Sequence, residues 1–130
     1  MKAELLYLVW VTVLTALLWV PYILDRMATW GLADTVGYPA SPKPQSPWAT
    51  RMKAAHTNAV ENLVVFAALV LVAQDLGVSN SATVTACMVY FWARLVHVVA
   101  YTLAWPWIRT LAFVVGWVCQ IVLAWQILAK

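Results

Sequence analysis

The stretch Arg51-Met52-Lys53-Ala54-Ala55-His56-Thr57-Asn58-Ala59-Val60-Glu61-Asn62 runs straight into Leu63–Ala73, which is wholly apolar. No other part of the chain sets so many hydrogen-bonding side chains at helical spacing beside a run of membrane character. On an α-helix, at about 100° per residue, Arg51, Ala55, Asn58 and Asn62 fall within roughly 60° of one another. Glu61 sits at the edge of that stripe, and His56 points well away from it. The pattern predicts a helix whose narrow polar seam enters an apolar environment. Its charge-free part, Asn62–Gln74, has 13 residues, whereas a hydrocarbon core of about 30 Å takes about 20. A crossing helix therefore carries Asn58 and Glu61 into the membrane.

Composition points the same way. The chain has 130 residues, room for one domain, and is 65% hydrophobic with 10% charged residues. Soluble domains carry about 25% charged residues, so a water-soluble fold is excluded. Nine tryptophans suit membrane interfaces. The net charge is +3, but the basic residues are scattered, and no basic tract speaks for nucleic acid as a partner. Cys87 and Cys119 lie in apolar runs and read as packing thiols. No Cys/His spacing resembles a zinc site, and no metal is expected.

Four spans follow. Between Glu4 and Asp25 lie 20 uncharged residues, longer than the core of a signal peptide and without a clean cleavage site. From Asp25 to Trp48, Gly31, Gly37, Pro39, Pro42, Pro44 and Pro47 mark a long surface loop. The second span starts at Pro47 or Trp48, and Gly77, Ser79 and Asn80 mark the turn after it. Ser79 or Ser81 is the expected cap of the third span. Trp105-Pro106-Trp107 ends that span, and Thr110–Ala129 is a further uncharged run of 20 residues. The reading is an all-α integral membrane protein, a four-helix transmembrane bundle over residues 1–130. Its approximate spans are 4–25, 48–76, 80–104 and 107–129, and its long loop is 26–47.

Lys/Arg bias orients the bundle. Arg26, Lys43, Arg51 and Lys53 flank the first connection, Arg94 and Arg109 lean to the same side, and only Lys2 and Lys130 mark the other. The long loop is then cytoplasmic, with both termini outside and Trp30, Trp48, Trp105 and Trp107 at the cytoplasmic interface. Depth now becomes informative. Glu61 is ten residues from Arg51, and Arg94 is ten from Ala104, each about 15 Å deep. Asn58 and His97 match at about 10 Å. A mid-bilayer charge costs at least ~2.5–3.5 kcal/mol, so a Glu61–Arg94 pair between antiparallel neighbours is expected. Such a pair also serves purely to fix helix register. Tyr90, Arg94, His97 and Tyr101 share one stripe of the third helix. His56, off its own seam, reads as a packing residue, and Tyr101 as an interfacial anchor or a proton donor. Arg109, at a helix start where the dipole disfavours cations, points to an anionic partner or to snorkelling.

These residues carry a resemblance. Arg51-x-x-x-Ala55-His56-x-Asn58-x-x-Glu61 resembles the second-helix signature of the MAPEG family, membrane-associated proteins in eicosanoid and glutathione metabolism. Arg94-x-x-His97-x-x-x-Tyr101, followed by Pro106-x-Ile108-Arg109, resembles that family's third-helix and loop pattern. Length and four-span layout agree, and the Asn-x-x-Glu-Asn version is most similar to the short bacterial branch. The resemblance implies a bacterial inner-membrane protein that assembles as a homotrimer, with glutathione held between protomers near the cytoplasmic side. It implies transferase or peroxidase chemistry on lipophilic electrophiles. Arg109 and Tyr101 would be catalytic, and Arg51, His56, Asn58, Glu61, Arg94 and His97 would bind glutathione. Ala54 and Thr57 stand where the eicosanoid-producing relatives carry arginine, which leaves Arg51 and Lys53 as candidates for glutathione's carboxylates. Small residues Ala54, Ala55 and Ala59 are expected to let second helices of neighbouring protomers approach closely.

Two other classes remain open on sequence alone. One is a non-catalytic membrane protein that keeps the fold and its polar pair. The other is a small proton-coupled transporter, which needs a membrane-embedded carboxylate. Orientation has a direct check: reporter fusions at Lys130 and within Ser41–Gln45 are expected to report opposite sides of the membrane, and a shared side refutes the topology.

Overall fold

Inside a bilayer a backbone segment must satisfy its own N–H and C=O groups, and a helix does so without partners. The computed structural model, which describes residues 1–130, is all-helical. Its elements are α1 (Ala3–Leu17), α2 (Trp19–Trp30), α3 (Leu32–Val36), α4 (Pro47–Asp75), α5 (Ser81–Thr102) and α6 (Pro106–Leu128). Four helical runs are long and apolar enough to cross a membrane: Ala3–Trp30, Pro47–Asp75, Ser81–Thr102 and Pro106–Leu128.

The first of these runs is two helices in near-continuation, separated at Leu18. Pro21 explains the break, because it has no N–H to offer the carbonyl of Leu17. In α1 the hydroxyls of Thr12 and Thr15 donate to the carbonyls of Leu8 and Val11, at 2.7 and 2.8 Å. Both thereby meet their hydrogen-bond need within the helix. The helix does not stop at Asp25, as the loop expected from that residue onward would require. No Gly or Pro intervenes before Gly31, so α2 continues to Trp30. Gly31, at φ 81°, then turns the chain into the short α3.

The rest of the loop folds back on α2. Ser46 donates its N–H and its hydroxyl to the Asp25 carboxylate, at 3.1 and 2.5 Å. Gln45 Nε2 donates to the Tyr22 carbonyl at 2.8 Å, and Trp30 Nε1 donates to the Lys43 carbonyl at 2.6 Å. Ser46 immediately precedes α4, so Asp25 puts a negative charge at the positive end of that helix's dipole. Pro47, at the first position of α4, surrenders an N–H that no helix would use there.

The two other connections use one device. After α4, Val78 N–H bonds the Ala73 carbonyl and Gly77 N–H bonds the Gln74 carbonyl, with Gly77 at φ 70°. After α5, Trp105 N–H bonds the Ala100 carbonyl and Ala104 N–H bonds the Tyr101 carbonyl. This is the Schellman closure. In the second case Ala104, at φ 61°, holds the position that normally favours glycine. Neither Ser79 nor Ser81 caps α5. Asn80 does, accepting from Thr83 N–H at 3.0 Å while its own N–H donates to Thr83 Oγ1 at 2.9 Å. Thr83 sits three residues on, where the reciprocal bond can form, and it also donates to the buried Glu4 carboxylate at 2.9 Å.

Two apolar clusters hold the bundle. The larger joins Val11, Phe66, Val70, Cys87, Tyr90 and Leu123, with the Phe66 and Tyr90 rings stacked at 3.9 Å. The smaller joins Leu18, Ala55, Ala59 and Val98. Ala55 and Ala59, expected to offer a small-residue surface to second helices of other copies, are instead buried inside the chain, against α1 and α5. Most large apolar side chains outside these clusters are exposed on the helix surfaces, as a lipid-facing bundle requires. Replacing Asp25 by Ala is expected to lower the denaturation midpoint in detergent. An unchanged midpoint would show that the Asp25–Ser46 junction does not hold the loop to the bundle.

Candidate functional site

In α5, Tyr90, Arg94, His97 and Tyr101 recur at spacings of four, three and four, so one face of the helix carries them all. That face packs against α4 and α6. Arg94 and His97 are each 2% exposed. The Arg94 guanidinium Nη2 donates to Asn58 Oδ1 of α4 at 2.7 Å and lies 3.4 Å from His97 Nδ1. Asn62, one turn along α4, donates to the Asn58 backbone carbonyl at 2.9 Å and to its Oδ1 at 3.3 Å. Gln120 of α6 donates to the Asn62 carbonyl at 3.2 Å. A column of hydrogen-bonded side chains thus joins α4, α5 and α6 through the apolar bundle.

The Glu61–Arg94 pair expected from depth is absent from the chain. Glu61 is exposed, and Arg94 takes Asn58 instead. The angular position decides, because Glu61 lies about 60° around α4 from Asn58, which turns its carboxylate onto the outer surface. His56 is also outside the site. Its Nδ1 shares a 2.8 Å hydrogen bond with the Tyr22 hydroxyl, and the two rings meet edge to face at 5.7 Å. It joins α4 to α2, in keeping with its angular position off the seam.

At the end of α5 the remaining candidates come together. Arg51 Nε donates to the Thr102 carbonyl at 3.0 Å, a cation placed at the negative end of the helix dipole. The turn through Ala104 brings α6 back so that the Arg109 guanidinium lies over the Tyr101 ring, 5.0 Å from its centroid. Two pockets flank this pair. One, of about 200 Å³, is bounded by Arg51, Tyr101, Ala104, Trp105 and Arg109. The other, of about 310 Å³, is bounded by Asn58, His97, Tyr101, Arg109, Thr110 and Phe113. Neither has an acidic residue in its wall, and Arg51, Arg94 and Arg109 surround them. Such a site favours an anionic ligand, with an aromatic and aliphatic margin for an apolar one.

The structure therefore gathers Arg51, Asn58, Arg94, His97, Tyr101 and Arg109. It also brings in Thr110, Phe113 and Gln120, which the motif reading passed over. Gln120 had a signal: it is the one amide between Thr110 and Gln126 in an otherwise apolar run, and a lone polar residue inside a span calls for a partner. Thr110 and Phe113 had none, since their place depends on how α6 returns after the turn.

The MAPEG family model matches residues 7–129, nearly the whole chain, and the chain belongs to that family. With its four membrane-grade helices it is an integral membrane protein. No curated protein and no solved structure matches it.

Removing one member of the buried contact leaves the other stranded. Asn58→Leu is expected to cost about 2 kcal/mol in detergent unfolding, and the double change Asn58→Leu/Arg94→Met to cost less than the sum of the single changes. Strict additivity would mean that the two side chains do not interact in the membrane.

Proposed function

We propose that this MAPEG protein is a glutathione-dependent transferase or peroxidase acting on lipophilic electrophiles at the Arg109–Tyr101 pair. The observation that carries the reading is that pair itself, flanked by two pockets with cationic margins and without a carboxylate. The family is generally associated with glutathione, and the donor set fits an anionic thiol compound. When bound, glutathione would supply the nucleophilic or reducing sulfur.

The chain's own residues have three tasks. Arg109 holds negative charge at the sulfur. A free thiol, with an ordinary pKa near 8.5, is mostly protonated at neutral pH, so a fixed guanidinium shifts the balance toward the ionised form. Arg109 is restrained for this by the Tyr101 ring below it. The Tyr101 hydroxyl is the second donor in reach of the same pockets. Arg51, fixed to the end of α5 by its Nε, keeps its terminal nitrogens for a carboxylate. An electrophile that dissolves in the bilayer would reach Phe113 and the outer faces of α5 and α6 by lateral diffusion.

The homotrimer belongs to this reading. Glu61 supports it: a carboxylate exposed on the outer face of a membrane helix, about 21 Å from the start of that helix, gains a partner when another copy packs there. The long loop is placed in the cytoplasm, where glutathione is found, and the termini outside.

Adding glutathione to the purified protein at neutral pH is expected to produce thiolate absorbance in the ultraviolet. Arg109→Ala should abolish that absorbance while the assembled protein keeps its elution volume and mass. Equal absorbance from both proteins removes Arg109 from the chemistry. Absence of glutathione binding to the wild type returns the chain to the non-catalytic reading.

A further inference from the structure

Arg94 is the most deeply placed charge in the bundle, at 2% exposure, and it faces no carboxylate. Its Nε has no partner inside the chain. It is also not part of either pocket wall. It lies one layer behind the larger pocket, whose wall includes the two residues it touches, Asn58 and His97. A buried cation of this kind needs a reason to be charged where it is.

Hydrogen-bond chemistry gives one. A guanidinium has five N–H donors and no acceptor. The atom of His97 facing Arg94 Nη2 is Nδ1, at 3.4 Å, so Nδ1 must carry the lone pair. In the neutral imidazole the proton then sits on Nε2. The second hydrogen of the same Nη2 goes to Asn58 Oδ1, at 2.7 Å. That oxygen also accepts from Asn62 Nδ2 at 3.3 Å, so its two lone pairs are in use. The Asn58 amide is thereby held with its oxygen inward. Its Nδ2 has no partner in the chain, and neither does His97 Nε2. Neither atom is among the sealed, unpartnered polar atoms of the bundle, and both residues line the pocket.

We infer that Arg94 is a positioning residue that does not touch the ligand. By fixing the Asn58 amide and the His97 tautomer, it turns Nδ2 and Nε2–H toward the pocket beside Arg109 and makes that wall select a negatively charged acceptor group. Of the other polar groups of the pocket, Arg109 and Tyr101 add donors and Thr110 does not. Arg109 can only donate. Thr110 gives its hydroxyl proton to the Pro106 carbonyl at 2.8 Å and keeps only lone pairs for the pocket. The Tyr101 hydroxyl completes the donors. Two sources of the acceptor group are compatible with this wall, an ionised thiol and a carboxylate, and naming glutathione as the ligand rests on the proposed function.

The tautomer is measurable without any ligand. In histidine-labelled protein with nitrogen-15, only His56 and His97 contribute, and a His56→Gln variant assigns the two. The expected spectrum of His97 shows a bare Nδ1 and a protonated Nε2 in a single tautomer. A proton on Nδ1, or an equal mixture, overturns the inference. Arg94→Met should spread His97 over both tautomers and weaken glutathione binding tenfold or more. The same change made on Asn58→Leu should weaken it by less than twofold further. Losses that multiply independently would mean that Arg94 meets the ligand itself, and would overturn the inference.

Should Arg94→Met fail to fold, Arg94→Lys keeps a donor-only cation and is expected to retain the tautomer. A full spread of His97 in that folded variant counts against positioning through a donated hydrogen bond. Glutathione and S-methylglutathione separate the two sources. A shift of His97 Nε2 with both places a carboxylate at the wall, and a shift with glutathione alone places the ionised sulfur there. Binding that leaves Nε2 unmoved in both overturns the inference. If the wild type binds no glutathione, the proposed function fails, while the ligand-free tautomer still decides what Arg94 does.

Discussion

A guanidinium buried among apolar helices is the constraint around which this bundle is arranged. Charge is expensive to remove from water, by several kcal/mol even after relaxation, and within the chain Arg94 is offered only neutral partners. The chain meets the requirement with Asn58 from α4 and His97 from the next turn of α5. Those contacts fix the rotation of α4 against α5. That rotation in turn sends Asn62 toward α6, where Gln120 meets its carbonyl, and leaves Glu61 on the outer surface. Within the packed bundle, the composition of the pocket wall thus depends on how this one charge is satisfied.

The far side of the pocket depends on how the chain turns after α5. Ala104 accepts a left-handed conformation at φ 61° so that two carbonyls at the end of α5 find donors. A non-glycine residue held there costs on the order of 1–3 kcal/mol, and such strain commonly accompanies a functional site. The outcome is that α6 begins directly beside the last turn of α5, with Arg109 over Tyr101. Arg51 closes the same end from α4 by donating to the Thr102 carbonyl. Two cations with different sequence neighbourhoods, Arg51 and Arg109, converge because the end of α5 offers a carbonyl and an aromatic face in one place.

The opposite end also has an opening, of about 310 Å³, between the Gly77–Asn80 turn, Gln126 and Lys130, but its polar side chains pair within the chain. There Glu4 accepts from Thr83, Asn80 bonds Gln126, and Lys130 donates to the Leu76 carbonyl. These contacts draw the start of α1 and the end of α6 to the turn between α4 and α5. They spend their polar groups on one another and on backbone. At the Arg109 end, by contrast, several donors are left without partners in the chain, and this difference marks one end of the bundle as the place for a ligand.

The sequence by itself determined the number of spans, because runs of about 20 apolar residues and their Gly and Pro boundaries follow from local chain chemistry and bilayer thickness. It determined the family, since spaced Arg, His, Asn, Glu and Tyr on two helices are local patterns. It also placed His56 off the polar seam from angle alone. Only the tertiary structure decided which polar groups meet. Depth along a helix can be counted, but a difference of about 60° in rotation separates Asn58 from Glu61, and rotation is set by packing of many side chains at once. The same holds for Ala55 and Ala59, whose small size permits close approach but does not say to which helix. Gln120, Thr110 and Phe113 entered the site because α6 returns where the Ala104 turn sends it, and that turn forms at an alanine, where sequence gives no glycine to announce it.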